Sequence, residues 1–435
     1  MTKRMLLAIL LLIVFALPAG CQKQGGEPTQ PTAPAPTILP THTPEPSPTP
    51  TPDPVGEALA GMTVEQKAAQ LLVAGIEGTE PGEDAVQAVQ GYQVGGVILF
   101  GRNVESAEQL AALTNGLKEL NGDYTPLFLC VDQEGGRVDR MPPEVTDLPS
   151  ALDFASIADP EARMDACFTL GQTLAAQCAA FGFNMDFAPS LDIWSNPENT
   201  VIGDRAFGTD AATVTGAANE TALGILSGGV IPVAKHFPGH GDTAVDSHYG
   251  LPVVDKSLEE LEELELRPFR QAIDTTCVYG TYGGDTSIPA IMVAHILLSQ
   301  IDPDNPASLS PEVVTGLLRE EMGYEGVVCT DDLTMGAISN TYGMGEAAVL
   351  AVEAGCDLLL VCHGADNLAA AHAALVEAVE SGRISMERLD ESVYRVLSLK
   401  AVYGLSNAPV EAPDIEALND RIAALERSIE ADTSQ

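Results

Sequence analysis

The fourteen residues KHFPGHGDTAVDSH, Lys235 to His248, hold three histidines and two aspartates. Imidazole beside carboxylate can ligate a metal or move protons near neutral pH. As metal ligands, His236, His240, Asp242 and His248 have to be gathered by a loop. Pro238 and Gly239 exclude the helix that makes an H-x-x-x-H pair bidentate. As packing, His240 merely hydrogen-bonds backbone in a Gly-rich loop, which leaves the D-S-H triplet at 246–248 unexplained. As catalytic groups, Asp246 and His248 stand one residue apart, so in an extended stretch both point to the same side. The carboxylate then stabilises the imidazolium and fixes its orientation and tautomer. Such a dyad is a proton donor and acceptor worth about 10²–10⁴-fold in rate. It needs a nucleophile or an activated water as partner, and Asp331, at the end of GVVCT, is the best-placed carboxylate.

The elements around these residues explain why they could meet. VGGVILF (94–100), PLFLCVD (126–132), FNMDFAPSLDI (183–193), VIPVAKHF (230–237), AIMVAHI (290–296), GVVCTDD (326–332) and CDLLLVCH (356–363) are apolar on both faces, as buried strands are. AAQLLVAGI (68–76) suits an eighth strand or a helix equally. Helical patterns intervene at 106–121, 257–273 and 310–322. Seven or eight such units predict an α/β chain folded as a (β/α)₈ TIM-type barrel. No G-x-G-x-x-G follows a first strand, which weakens a dinucleotide-binding reading. Asp132 and Glu134, Lys235 and His236, His295, and Asp331 and Asp332 all stand at or just past strand ends. In a barrel those ends share the face on which active sites are built, so the pattern points to an enzyme.

With 62 acidic against 21 basic residues the formal net charge is −41, a field that repels nucleic acid and anionic lipid. Residues 1–20 resemble a bacterial lipoprotein signal: Lys3 and Arg4 precede the apolar MLLAILLLIVFAL, and LPAGC offers Cys21 for lipidation. Residues 21–54 follow as a lipid-anchored linker. Its stretch 27–54 carries eleven prolines and seven threonines in 28 residues. In polyproline II geometry it would span about 85 Å at roughly 3.1 Å per residue. The remaining seven cysteines show no C-x-x-C pattern. Cys130, Cys329, Cys356 and Cys362 lie in strand-like runs, as buried free thiols do.

KHFPGHGDTAVDSH, DQEGGRVDR (132–140), NPENTVIGDRAFG (196–208) and TDDLTMGAI (330–338) together resemble the β-N-acetylhexosaminidases of glycoside hydrolase family 3, over roughly residues 57 to 404. The resemblance implies a (β/α)₈ barrel and a two-step retaining mechanism through a covalent glycosyl-enzyme. Asp331 would be the nucleophile, His248 the general acid/base and Asp246 its orienting partner. Retaining glycosidases commonly use two carboxylates, and here imidazole would replace one. Asp132, Arg140, Arg205, Lys235 and His236 would bind the sugar, as charge-assisted donors and acceptors suit a polyol. Glu134 and Arg137 would shape loops and pair with neighbours. Trp194, the only tryptophan, either stacks on sugar or sits buried at the rim.

The expected organisation is a signal peptide at 1–20, the linker at 21–54, a single catalytic domain at 55–405 and a tail with a short helix at 406–435. No C-terminal α/β sandwich domain is expected. The implied activity is exo-β-N-acetylglucosaminidase acting on peptidoglycan fragments outside the cytoplasmic membrane, lipid-anchored, monomeric and needing no cofactor or metal. The same dyad could serve a phosphorylase, and a non-catalytic cell-wall-sugar-binding lipoprotein is the reading from another class.

Overall fold

The structure is a computed structural model, and it describes residues 53–244, 246–247, 250–275 and 288–433. Cys21 and the signal and linker through Pro52 lie outside the described residues, as does His248. Among the described residues no helix is long and apolar enough to cross a membrane.

Eight parallel strands close into a barrel: β1 (Leu72–Gly75), β2 (Gly96–Leu99), β3 (Phe128–Val131), β4 (Met185–Asp186), β5 (Ile231–Phe237), β6 (Ala290–Val293), β7 (Val327–Asp332) and β8 (Leu358–Val361). Each pairs with its sequence neighbours, and β1 closes on β8 through Leu72–Leu359 and Ala74–Val361. The ambiguous 68–76 stretch contains both structures expected of it. A helix over Val64–Gln70, begun by a Thr63–Gln66 capping box, ends just before β1.

Strand alternation sorts the apolar residues into two cores. Val73, Ile98, Phe128, Met185, Val233, Met292 and Leu360 fill the barrel interior together with Cys130, Cys329 and Cys362. Leu72, Ala74, Leu129, Val131 and Ile291 face outward to the surrounding helices. All six described cysteines are buried and free, and Cys21 and Cys277 lie outside the described residues.

Three local departures from the sequence reading have physical causes. The 183–193 run makes only a two-residue strand, because Pro189 brings no N–H to a ladder. Beside it, the Asn184 side chain substitutes for backbone, accepting from Leu129 N at 2.9 Å and donating to Leu127 O at 3.0 Å. The 257–273 helix is broken into Leu258–Glu263 and Arg267–Asp274, the second begun by Pro268 in its first turn. At the C-terminal end, the helix is 19 residues long, Ile415–Thr433. It lays Leu418, Ile422, Leu425 and Ile429 into the outer core and packs on the helix Pro160–Ala180, so the segment after Leu405 is part of the same compact unit.

Candidate active site

At the C-terminal ends of the strands lies a cavity of about 240 Å³, bordered by Asp132, Arg140, Arg205, Lys235, His236 and Asp331. Ladder irregularities let sequence neighbours share it. Strict alternation would send Lys235 and His236 to opposite faces, but the β5–β6 register shifts between Ala234 and Phe237 and both residues line the cavity. The β7–β8 register shifts in the same way, with Leu358 opposite Cys329 and Leu360 opposite Asp332, so Asp331 and Asp332 both reach it.

A connected set of charges forms one wall. Lys235, 1% exposed, places Nζ 2.5 Å from Asp132 Oδ1 and 2.7 Å from Glu134 Oε1. Arg205 grips Glu134 with two prongs, Nε to Oε2 at 2.9 Å and Nη2 to Oε1 at 2.7 Å. Two cations thus answer two anions. Burial alone would raise the Glu134 carboxyl, but Arg205 and Lys235 hold it far below the carboxylate range. Burial would likewise lower the Lys235 ammonium, and Asp132 and Glu134 keep it raised. Asp132 is the member of this set most open to the cavity, at 21%. Arg140 donates from Nη1 to Asp139 O at 3.0 Å and meets no carboxylate among the described residues.

The pairing expected of Glu134 is therefore with Arg205 and Lys235. Arg137 gathers the 200–202 carbonyls at 2.7–2.8 Å and pairs Nε with Asp204 at 2.7 Å, which holds the loop bearing Arg205. The turn before it needs glycine, since Gly135 and Gly136 take φ of +84° and +55°. Trp194 does not border the cavity, and its indole N–H is buried without a partner among the described residues.

Asp192, which sequence reasoning did not single out, organises the histidine loop from beneath. Its Oδ2 takes His236 Nδ1–H at 2.6 Å and its Oδ1 accepts from His240 N at 2.6 Å. Burial would raise Asp192, but the His236 ring and the His240 N–H hold it down to about 2. With Nδ1 so engaged, His236 Nε2 faces Arg205 Nη2 at 3.4 Å. His240 spans Thr243 Oγ1 at 2.9 Å and Ser247 Oγ at 3.3 Å, so its two ring nitrogens also have protein partners. Asp242 pairs with Lys256 at 3.0 Å, and Lys256 pairs with Glu265 at 2.5 Å. The loop approaches Ile193 so closely that a Cβ on Gly241 would stand 1.8 Å from its carbonyl oxygen, which leaves room only for glycine. His240 and Asp242 are thereby committed to holding a loop, while His236 keeps its Nε2 edge toward the cavity beside the Arg205 guanidinium, so the metal reading of these three lacks a gathered set of free donors.

The Ser247 carbonyl accepts from Ala337 N at 3.0 Å, tying this loop to the turn after β7. Asp246 is half-buried beside it. Its expected partner His248 lies outside the described residues.

Asp331 stands at the end of β7, with Oδ1 accepting from Asp332 N at 2.8 Å. Burial raises its carboxyl, and the His295 and His236 rings, the Asp332 N–H and Lys235 more than reverse this, leaving it below the ordinary range and ionised. His295 donates from Nε2 to Asp332 O at 2.9 Å, and its Nδ1 accepts from Ser308 Oγ at 2.7 Å. Burial depresses its basicity. Asp332 itself is engaged by Thr334 Oγ1 at 2.5 Å and Cys362 N at 3.1 Å, so of the two adjacent aspartates Asp331 is the less committed. At the mouth, His363 stacks on Phe100 at 5.8 Å and the Arg102 guanidinium lies 4.6 Å from the same ring. His295 was visible as a strand-end histidine, whereas Asp192 and the Phe100–His363 pair carried no spacing signal.

One consequence is a pH-dependent stability. Burial pushes the His240 imidazole down to about 4. The unfolded chain therefore carries a proton that the folded chain refuses between about pH 6.5 and 4, and stability falls as pH is lowered through that window. The total effect is on the order of 3 kcal/mol. His295 acts in the same direction, while the depressed Glu134 and Asp192 lose their contributions only below about pH 4. Urea unfolding between pH 4 and 7.5 should show this slope, and His240→Asn should flatten it. An unchanged slope in the variant would refute the assignment.

The geometry has counterparts in known proteins. The glycosyl hydrolase family 3 N-terminal domain matches residues 63–399. The β-hexosaminidase of Nitrosomonas eutropha is 35% identical over 331 residues, covering 75% of this chain and 91% of its own. That of Methylococcus capsulatus is 40% identical over 287 residues, 66% of this chain and 80% of its own. The solved structure of a family 3 β-N-acetylglucosaminidase from Paenibacillus sp. FPU-7 superposes with a TM-score of 0.77 at 41% identity, over 85% of this chain and 69% of that one. A closed eight-stranded barrel with an ionised strand-end aspartate in its mouth, matched over most of its length by these proteins, places the chain in glycoside hydrolase family 3.

Proposed function

We propose that the protein is a retaining exo-β-N-acetylglucosaminidase, a β-hexosaminidase that removes terminal N-acetylglucosamine from peptidoglycan fragments. The observation that carries the reading is Asp331, ionised and otherwise uncommitted, in a cavity with room for a single sugar ring. The relatives' β-hexosaminidase names support the choice of sugar.

In the first step an Asp331 oxygen attacks the anomeric carbon while the glycosidic C–O bond breaks and the leaving oxygen takes a proton from His248. In the second, water gives its proton to His248 and displaces Asp331. Asp246 orients the imidazole. Asp132, Arg140, Arg205, Lys235 and His236 hold the sugar, and the negative Asp331 favours the cationic transition state. A lipid on Cys21 and the proline-rich linker would hold the catalytic unit outside the cytoplasmic membrane, within reach of the wall.

The test is product analysis with p-nitrophenyl β-N-acetylglucosaminide, in buffers with and without phosphate. Free N-acetylglucosamine in both is expected. Sugar 1-phosphate in phosphate buffer would make the protein a phosphorylase. Binding of wall fragments without turnover would leave a sugar-binding lipoprotein.

A further inference from the structure

A second cavity, of about 220 Å³, opens at the other end of the barrel. Gln70, Gln93 and Thr125 border it, and they precede β1, β2 and β3, whereas Lys235, His236 and Asp331 stand at the C-terminal ends of their strands. The two cavities are nearly equal in volume.

The walls of this second cavity are amide-rich and held in place. Buried Lys400 donates from Nζ to Gln70 Oε1 and Gly95 O, both at 2.8 Å. Gln70, so oriented, donates from Nε2 to Gln93 O at 2.8 Å. Gln66 donates from Nε2 to Gln93 Oε1 at 3.1 Å, and its own Oε1 accepts from Thr63 N at 3.0 Å. Gln93 Nε2 is then the donor at the end of the relay, with no protein partner among the described residues. Gln93 sits at φ 63°, a backbone conformation shared by no other described residue except glycines.

Across from these amides, Asp123 makes no ion pair or side-chain hydrogen bond among the described residues, and Tyr124 leaves 44% of its surface exposed. The Tyr124 backbone is nevertheless pinned. Its N–H donates to Asn121 O at 3.1 Å, and its carbonyl accepts from Asn407 Nδ2 at 3.1 Å. Asn407 Nδ2 also reaches Gly122 O at 2.8 Å. An aromatic ring is thus presented to solvent on a fixed turn, beside an unpaired carboxylate and a free amide donor.

This is the chemistry of a neutral polyol. The ring offers a face for the C–H side of a pyranose, the carboxylate accepts from hydroxyls and the amide donates to hydroxyl or acetamido oxygen. An anion would meet Asp123 without a free cation, since Lys400 is buried and already engaged. An apolar ligand would leave the Gln93 Nε2 donor unsatisfied. We propose that this cavity is a second, non-catalytic saccharide-binding site that takes one residue of a β-linked N-acetylglucosamine glycan. The choice of that sugar rests on the proposed function. Such a site would keep the barrel on a long glycan while the opposite mouth trims chain ends, a gain in effective concentration rather than in chemistry.

The experiment titrates the β-1,4-linked N-acetylglucosamine tetramer into Asp331→Asn protein, where turnover does not consume the ligand, and reads heat or chemical shift. Adding Tyr124→Ala and Asp123→Ala should weaken one binding event by at least about tenfold. In the otherwise unaltered enzyme, the same two changes should leave p-nitrophenyl β-N-acetylglucosaminide kinetics as they were. A titration that superimposes with and without the two changes would overturn the proposal. Failure of the unaltered protein to release N-acetylglucosamine would count against the catalytic reading alone, because the distal binding event is read in protein that does no chemistry.

Discussion

Asp331→Asn should lower kcat/KM for p-nitrophenyl β-N-acetylglucosaminide by about 10³-fold or more, with little change in folding. The variant keeps the side-chain shape and the oxygen that accepts from Asp332 N. It removes the negative charge and the attacking lone pair together. His295, His236 and Lys235 hold the wild-type carboxyl ionised, so the loss should persist across the neutral range rather than appear as a displaced pH profile. A smaller nucleophile can separate the two roles. In Asp331→Gly, added azide should restore turnover and leave a glycosyl azide, because the anion can occupy the space the carboxylate vacated. Retention of more than about a tenth of wild-type activity by Asp331→Asn would exclude Asp331 as nucleophile. Asp332→Asn is the informative neighbour. Its carboxylate braces Thr334 and Cys362, so it should act through stability and KM more than through the chemical step.

Lys235→Met should cost about 3–5 kcal/mol of folding stability, the range found when one partner of a buried ion pair is removed. The ammonium is almost wholly enclosed and bridges Asp132 and Glu134. Deleting it leaves two buried or half-buried carboxylates facing Arg205 alone. The methionine chain fills most of the volume, so cavity formation contributes little and the loss measures charge. Restoring the balance should recover part of it: Lys235→Met with Glu134→Gln should be less destabilised than the sum of the single changes, by at least about 1 kcal/mol. Urea unfolding of the four proteins at pH 7 closes the cycle. Additive effects would mean that the contact carries no coupling. Activity should fall with Lys235→Met in any case, because Asp132, the proposed sugar contact, loses the group that fixes its carboxylate.

Both expectations depend on strand ends, and those were legible in the chain. Runs apolar on both faces, spaced by helical patterns, are the mark of a parallel sheet covered on each side, and in a closed sheet of that kind all C-terminal ends meet on one rim. Polar residues immediately after such runs therefore had one place to go. Asp132, Lys235, His236 and Asp331 could be gathered from pattern alone, and the burial of the thiols followed from the same runs.

Other features required the third dimension. That Lys235 and His236 face the same cavity contradicts strand periodicity and results from a ladder shift against β6, which depends on pairing rather than on local sequence. Asp192 and Glu134 took their roles from partners 44 and 101 residues away, and no local spacing encodes such contacts. The amphipathic pattern after Leu405 suggested a helix but not its docking, because an apolar stripe specifies burial without naming what covers it. The distal cavity lay wholly beyond reach of the sequence. Its walls come from three separate segments, one of them a helix, and Asn407 decides from the far end of the chain how Tyr124 is presented. Local chemistry determined which residues would stand at the rim; the pairing of distant segments decided which of them could touch.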